Sequence, residues 1–538
     1  MAVFDYIVVG AGTAGCVVAS RLCEGGQRKV LVLEAGVSDR RFWVQLPIGY
    51  GRTFNDPRVN WLYEAEPDPA LVGRRAFWPR GKVLGGSGSI NAMVYYRGLP
   101  SDFDDWRELG NPGWGFKEVL PFFQETEDRG RVGSASGPAR PKSIHVTDVS
   151  PDVHPLCQSF IESCHAIGLP KEDFNDSRGE GVGIYQITTR GGLRDSTSRS
   201  YLRPELKSNN VSLRLGAHVL RILFESRRAV GVSYQQQGRE FAAKAARGVI
   251  LCGGAVNSPQ ILQLSGVADP ALLARHGINV VAASPAVGRN LQDHLAVSYF
   301  YRSKVPTLND ELVPLAGKMR AALRYILSRR GVLAMSVNQG GGFVKSDASQ
   351  PRPNLQLYFN PMSYTTQGPS RRLLNPDPFS AFLLSFNACR PTSRGHIEIR
   401  SANPFEAPAI HANSLATERD IAEAMAGMRL LRSIAATAPL SNFVESEMRP
   451  GATLQSDAEL MQDFRERAWT VFHPVSTCRM GPDPATAVVD ASLRVYGVEG
   501  LRIIDASVFP TLTSGNTNAP TVMVAEKGAA LIKAEEGR

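Results

Sequence analysis

The sequence predicts an α/β chain that opens with a Rossmann-like dinucleotide-binding unit, and three observations carry that prediction. An apolar run, Phe4-Asp5-Tyr6-Ile7-Val8-Val9, ends in the small-residue turn Gly10-Ala11-Gly12-Thr13-Ala14-Gly15. Small residues follow, then Val17, Val18 and Leu22 at helical spacing. A second apolar run, Val30-Leu31-Val32-Leu33, ends at Glu34.

Each element has a physical reason. The near-continuous apolar runs read as strands buried on both faces of a parallel sheet. Gly10 suits the tight turn, Gly12 lets a pyrophosphate approach the backbone, and Gly15 lets the helix pack on the strand. Thr13 and Ala14 open that helix, whose N-terminal N–H groups favour anions. Glu34, followed by Ala35, stands where a carboxylate accepts hydrogen bonds from an adenosine ribose lacking a 2′-phosphate. These features leave FAD and NAD both open.

At 538 residues the chain exceeds what one core serves, so two domains are expected. The composition, 43% hydrophobic and 21% charged, is that of a soluble globular protein. No apolar run approaches the ~20 residues of a membrane span, and the first strand starts too near Met1 for a signal peptide. Seven scattered cysteines without a CxxC pair suggest neither a disulfide framework nor a metal site and fit a reducing cytoplasm. The net charge of +9 comes without a basic block interleaved with aromatics, so nucleic acid is not an expected partner. There is no GxSxG hydrolase elbow and no HExxH metal motif.

Within Lys318 to Arg330, Met319, Leu323, Ile326 and Leu327 share one helical face. The reading taken is a helix packed on its own domain with its basic residues solvated; the alternative is a helix resting peripherally on the inner membrane. Gly130 to Lys142 reads as a surface loop. Pro361 to Pro378, with Tyr364, Gln367, Arg371, Arg372 and Asn375, reads as a long irregular stretch of the kind that is either functional, such as a lid, or disordered.

A second chemical region runs from Arg80 to Val94 and includes Gly81, Val83, Gly85, Gly86, Ser87, Asn91, Ala92 and Met93. Every residue from Gly85 to Ser89 is glycine or serine, which lets the backbone approach a flat ring or a phosphate. The apolar Ile90, Met93 and Val94 that follow predict the start of a buried helix.

Gly81 to Gly98 resembles the first signature of the glucose-methanol-choline (GMC) oxidoreductases, flavoenzymes that oxidise alcohols. Gly254 to Val267 resembles their second signature, with Ala268 where the family usually has glycine. Phe472-His473-Pro474-Val475-Ser476-Thr477-Cys478-Arg479-Met480-Gly481, then Asp505-Ala506-Ser507 and Gly515 to Thr521, complete the pattern. Within the family the chain looks most like bacterial choline-dehydrogenase-like and aliphatic alcohol dehydrogenases, notably in Phe77 to Lys82, Ser89 to Tyr95 and Asn290-Leu291-Gln292-Asp293-His294.

The resemblance implies FAD as cofactor, held noncovalently because Ile90 stands where some relatives have a histidine that attaches it. It adds Val219, Gly253, Asp505, Ala506, Asn516, Asn518, Pro520 and Thr521 to the expected cofactor contacts. It implies a discontinuous FAD-binding domain (1–155, 205–298 and 468–538) and an antiparallel-sheet substrate-binding domain (156–204 and 299–467).

Hydride transfer from an alcohol carbon to flavin N5 is eased by a base that takes the hydroxyl proton. His473 suits that task, since an imidazole titrating near pH ~6.5 accepts a proton at neutral pH. Asn516, where many members of the family have a second histidine, would hydrogen-bond the alcohol oxygen. Asn518 is placed nearer the flavin, and His294 is assigned a structural hydrogen bond. Expected pocket walls are Tyr325, Met335, Asn338, Phe343, Tyr358 and Phe359, which favour a primary alcohol with an aliphatic or aromatic tail. The electron acceptor is O2 or a quinone-like carrier, with a dehydrogenase favoured; family members that act as a lyase or a photodecarboxylase are the alternative chemistries.

Overall fold

The structure, a computed structural model, describes residues 3–131, 142–172, 179–367 and 373–537. Most of the expected 130–142 loop, and Arg371 and Arg372, therefore lie outside the described residues.

The principal elements begin with β1 (Val3–Val9), α1 (Thr13–Leu22), β2 (Val30–Glu34), β3 (Gly181–Ile184), β4 (Val211–Leu215), β5 (Ala217–Glu225), β6 (Arg228–Gln236), β7 (Arg239–Leu251) and α2 (Gly254–Leu264). They continue with β8 (Leu295–Ser303), α3 (Leu315–Ser328), β9 (Gly340–Val344), β10 (Leu355–Asn360), β11 (Ala381–Ala388), α4 (Glu418–Ala436), β12 (Val444–Arg449), β13 (Leu501–Ile503) and α5 (Asn518–Glu536).

Two seven-stranded sheets organise the chain. The first runs β4-β2-β1-β7-β6-β5, with β13 also on β7. Its parallel strands are in register Val9 to Leu33, Val9 to Leu251 and Leu251 to Ile503. Ile7, Val8, Leu31 and Val32 are wholly buried, as strands covered on both faces require. The first half of β7 pairs instead with the antiparallel hairpin β5–β6.

The second sheet, β12-β8-β11-β10-β9-β3 with the short strand Trp469–Thr470 also on β8, is antiparallel throughout and packs against α4. The expected α/β architecture with a second, antiparallel unit is thus present.

Three local expectations change. Gly86–Ser89 form a single 3-10 turn, and Met93 takes a left-handed φ of 64°, which no continuing helix accommodates; Ile90, Met93 and Val94 are buried in irregular backbone. Pro361 to Pro378 is not wholly irregular, because Tyr364–Gln367 and Leu373–Pro376 pair antiparallel. Finally, α3 packs through Gly317, Ala321 and Tyr325, leaving Met319, Leu323, Ile326 and Leu327 exposed. Among the described residues no helix is long and apolar enough to cross a membrane.

Candidate active site

A cavity of about 1300 Å³ runs between the two chemical regions. That exceeds the ~300–1,000 Å³ usual for one small ligand and leaves room for a dinucleotide beside a substrate. From the first glycine turn Gly10, Gly12, Thr13 and Ala14 line it, with Glu34 and Ala35 from the end of β2, Val219 from β5 and Gly253 just after β7. Arg80, Gly81, Gly86, Ser87, Asn91, Ala92, Met93 and Val94 line it too. From the C-terminal region Asp505, Ala506, Asn516, Asn518, Thr521 and His473 complete it. Gly15, Val83, Gly85 and Pro520 do not border the cavity.

The glycine cradle has a concrete geometry. Gly10 has φ +94°, and a Cβ there would lie 2.5 Å from the Cys252 carbonyl oxygen, so only glycine fits the strand-to-helix turn. A Cβ on Gly15 would lie 1.9 Å from the Gly10 oxygen, which is the close helix-on-strand packing expected of it. At Gly12 the nearest neighbour of a Cβ is the Gly86 Cα at 3.9 Å, so a larger side chain would fill cavity space. This room, at the N-terminus of α1, fits the pyrophosphate of a dinucleotide.

The Glu34 carboxylate accepts from the N–H groups of Ala11 (2.9 Å) and Gly36 (2.8 Å), and burial pushes it up to about 7. Each of its oxygens keeps a lone pair for a ribose hydroxyl. Asp505 accepts from Gly254 N–H, Ser258 Oγ–H and Ser507 N–H, so its described bonds anchor the start of α2. Thr13 Oγ1 donates to Asn518 Oδ1 at 2.9 Å, joining the beginnings of α1 and α5.

At the other region, His473 Nε2 lies 3.1 Å from Asn516 Nδ2 and His473 Nδ1 lies 3.0 Å from His294 Nδ1. His294 Nε2 in turn lies 2.9 Å from the Cys389 carbonyl oxygen. These partners determine the tautomers. A carbonyl only accepts, so His294 carries its proton on Nε2 and its Nδ1 is bare. His473 therefore donates from Nδ1, and its Nε2 lone pair faces Asn516. Asn516 Oδ1 accepts from Gln356 Nε2 at 3.4 Å, which leaves Nδ2 as the group turned to His473.

Backbone and charge hold this arrangement. Asp293 Oδ1 accepts from the main-chain N–H of both His294 (2.9 Å) and His473 (2.8 Å), while Oδ2 accepts from Thr470. Phe472, just before His473, has a left-handed φ of 69°, a strained conformation for a bulky residue. Arg80 Nη2 donates to the Phe472 carbonyl at 2.6 Å. Burial, then His294 and Arg80, hold the His473 imidazole well below its usual range, so it stays neutral. Burial also draws His294 down to about 4 and pushes Asp293 up to about 6.

Sequence reasoning assigned His294 a structural hydrogen bond, and His294 makes one to the Cys389 carbonyl; its second contact, to His473 Nδ1, was not foreseen. Arg194 was passed over altogether. Arg194 is fully buried, with Nη1 2.7 Å from Asn91 Oδ1 and Nε 3.0 Å from the Val44 oxygen. Nothing in Leu193-Arg194-Asp195 advertised it. Of the expected pocket walls, Asn338 and Tyr358 border the cavity, whereas Tyr325, Met335, Phe343 and Phe359 pack into cores beside it. Aromatic lining comes instead from Tyr50, Phe54, Trp469 and Phe472, linked edge to face at 5.4 to 5.9 Å.

Away from the cavity the fold also brings together His396, Glu398 and His411, with possible ligand atoms within 4.8 Å of one another. Arg275 lies 3.2 Å from Glu398, and Arg289 acts on His396, surroundings that oppose a further cation.

Family models described as GMC oxidoreductase match residues 4–296 and 391–525. An alcohol dehydrogenase (acceptor) from Pseudomonas putida is 39% identical, covering 98% of this chain and 95% of its own length. A mitochondrial choline dehydrogenase from Mus musculus is 41% identical over 98% of this chain and 89% of its own. Among solved structures, a pyridoxine 4-oxidase from Mesorbium loti superposes with a TM-score of 0.86 at 29% identity, covering 98% of this chain and 99% of that one. A formate oxidase superposes with a TM-score of 0.92 at 26% identity, covering 100% and 99%.

Proposed function

The chain belongs to the GMC oxidoreductases, FAD-dependent enzymes acting on alcohols, and from that premise we propose that it oxidises a primary alcohol with an apolar tail to the aldehyde, His473 serving as base. In this reading the FAD-binding part comprises 1–155, 205–298 and 468–538, and the substrate-binding part 156–204 with 299–467. FAD, held without a covalent bond because the buried Ile90 offers no nucleophile, supplies the hydride acceptor, N5. Its pyrophosphate would be held by the cradle at Gly10, Gly12 and Gly86, and its ribose by Glu34.

The observation that carries the reading is the bare Nε2 of His473, set by the run from Cys389 through His294. An alcohol oxygen between His473 and Asn516 replaces their 3.1 Å contact by two bonds, donating its proton to Nε2 and accepting from Asn516 Nδ2. As the hydride leaves the carbon, Nε2 takes the proton while the amide steadies the negative charge gathering on oxygen. His294 keeps the ring in the required tautomer throughout.

The lining favours an apolar tail over a quaternary ammonium. Tyr50, Phe54, Trp469 and Phe472 offer aromatic faces, but the lining carboxylates stand elsewhere: Glu34 on its backbone donors, Asp56 paired with Arg58 at 2.8 Å, and Asp505 on α2. A cation would have ring faces and no counter-charge beside it. The likeness to an alcohol dehydrogenase (acceptor) supports a dehydrogenase over an oxidase, and a quinone-like carrier is the acceptor proposed.

The test is the visible spectrum of the holoprotein under argon with benzyl alcohol, octanol, choline and a sugar in turn, followed by air. Bleaching by the first two and slow recolouring in air is the expected result. Bleaching by choline alone would overturn the apolar-tail assignment, fast recolouring would make the enzyme an oxidase, and no bleaching would favour a lyase or photodecarboxylase.

A further inference from the structure

The helix α3 wears its apolar side outward. Its buried stripe is Gly317, Ala321 and Tyr325, one residue every four, with the Tyr325 hydroxyl donating to the Gly192 oxygen at 2.9 Å. Leu315, Met319, Leu323, Ile326 and Leu327 are 57 to 77% exposed, five of the fourteen large hydrophobic side chains exposed among the described residues. At about 100° per residue these five fill an arc of about 120° centred opposite the buried stripe. Arg320 and Arg324 border the arc on one side and Lys318 on the other. An ordinary surface helix does the reverse, burying its apolar stripe and solvating its polar one.

The charge that the helix segment itself carries is of one sign. Residues 315–330 contain five Lys and Arg and no Asp or Glu. Arg324 and Arg330 both reach Asp152, at 3.0 and 2.8 Å, whereas Lys318 and Arg320 have no acidic partner among the described residues. A second copy seated on this face across a two-fold axis would bring like charges together. A sheet of lipid phosphates complements them, and acyl chains receive an apolar arc without any matching shape.

We propose that α3 docks on an anionic lipid bilayer, its five apolar side chains among the acyl chains and its flanking cations at the headgroup phosphates. Leu312 and Val313, just before the helix, and Lys318, in its first turn, line the cavity that holds His473 and Asn516. Docking therefore sets this cavity beside the lipid, from which lipophilic molecules enter without crossing water. The docking itself does not depend on which alcohol is oxidised.

The test is co-sedimentation of the holoprotein with vesicles of phosphatidylcholine alone or with about 30% phosphatidylglycerol, at low and high salt. Binding to the anionic vesicles, weakened by salt and lowered at least ~10-fold in L323E/I326E, is expected. That variant, changed only at exposed positions, should keep its flavin absorbance and its bleaching by soluble alcohols. R320E should weaken vesicle binding by a smaller factor. Wild-type protein left in the supernatant with both vesicles would overturn the proposal, as would undiminished binding of L323E/I326E. So would a dimer by light scattering that L323E/I326E converts to monomer, which would make the face a contact between copies.

Discussion

At the Gly12 end of the cavity the surface is largely backbone, supplied mainly by one strand-turn-helix-strand unit with Gly86 set against it. At the His473 end it is side-chain nitrogen and oxygen, supplied by residues 43 to 179 positions apart. The first end is sensitive to volume, since a Cβ at Gly10 or Gly15 strikes main-chain atoms. The second is sensitive to chemical identity, since each ring nitrogen has one partner of defined donor sense. A small change of size should therefore destroy binding at one end, and a change of hydrogen-bonding character should slow chemistry at the other while leaving the cofactor in place.

The largest expected effect is at the cradle. Gly12→Leu fills pyrophosphate space and should purify without flavin while keeping native circular dichroism; a fully yellow variant would break the contrast. His473→Ala should retain FAD but slow anaerobic flavin reduction by ~10² or more in stopped flow, and reduction at the wild-type rate would remove His473 from the chemistry.

A sharper version concerns the residue behind the proposed base. His294→Leu leaves the His473 Nδ1–H buried without an acceptor and should slow reduction ~10-fold. His294→Gln, whose amide can accept from His473 and donate to Cys389, should restore most of the rate. Equal losses in the two would mean that only the shape of His294 matters.

The smallest effects are in pH. The His473 imidazole is held well below its usual range, so the acid limb of flavin reduction should fall below pH ~6.5; a limb at or above that value contradicts a buried neutral base. His294, drawn down to about 4, adds a stability term. Between about 6.5 and 4 the unfolded chain binds more protons at this site than the folded one. Its contribution therefore declines as pH falls through that window, which urea unfolding across the range would detect.

The parallel sheet and its cradle were legible because their determinants are contiguous: Ile7-Val8-Val9 and Leu31-Val32-Leu33 become strands and Gly10 becomes the turn where the pattern places them. His473 and Asn516 were legible only through the resemblance, and the structure places them 3.1 Å apart. The contact of His294 with His473 was not legible, because a buried histidine reads alike whether its partner is a carbonyl or another imidazole. The stretch after Gly86 misled because apolar residues at 90, 93 and 94 fit a helix, whereas the positive φ of Met93 is a tertiary demand. The same limit applies to α3. Periodicity locates an apolar face, but only packing tells whether the protein or something outside it covers that face.

The order of synthesis meets one feature of this fold directly. Strand β7 receives β13 as a neighbour at Val249–Leu251, and α1 rests against α5 through Thr13–Asn518 and Arg21–Glu526. While the ribosome still holds residues 501–536, the parallel sheet has an open edge and α1 lacks its cover. His473 can be made before then, but Asn516 cannot. A nascent or truncated chain thus keeps an unfinished sheet edge, and the His473 end of the cavity is complete only once the C-terminal segment has arrived.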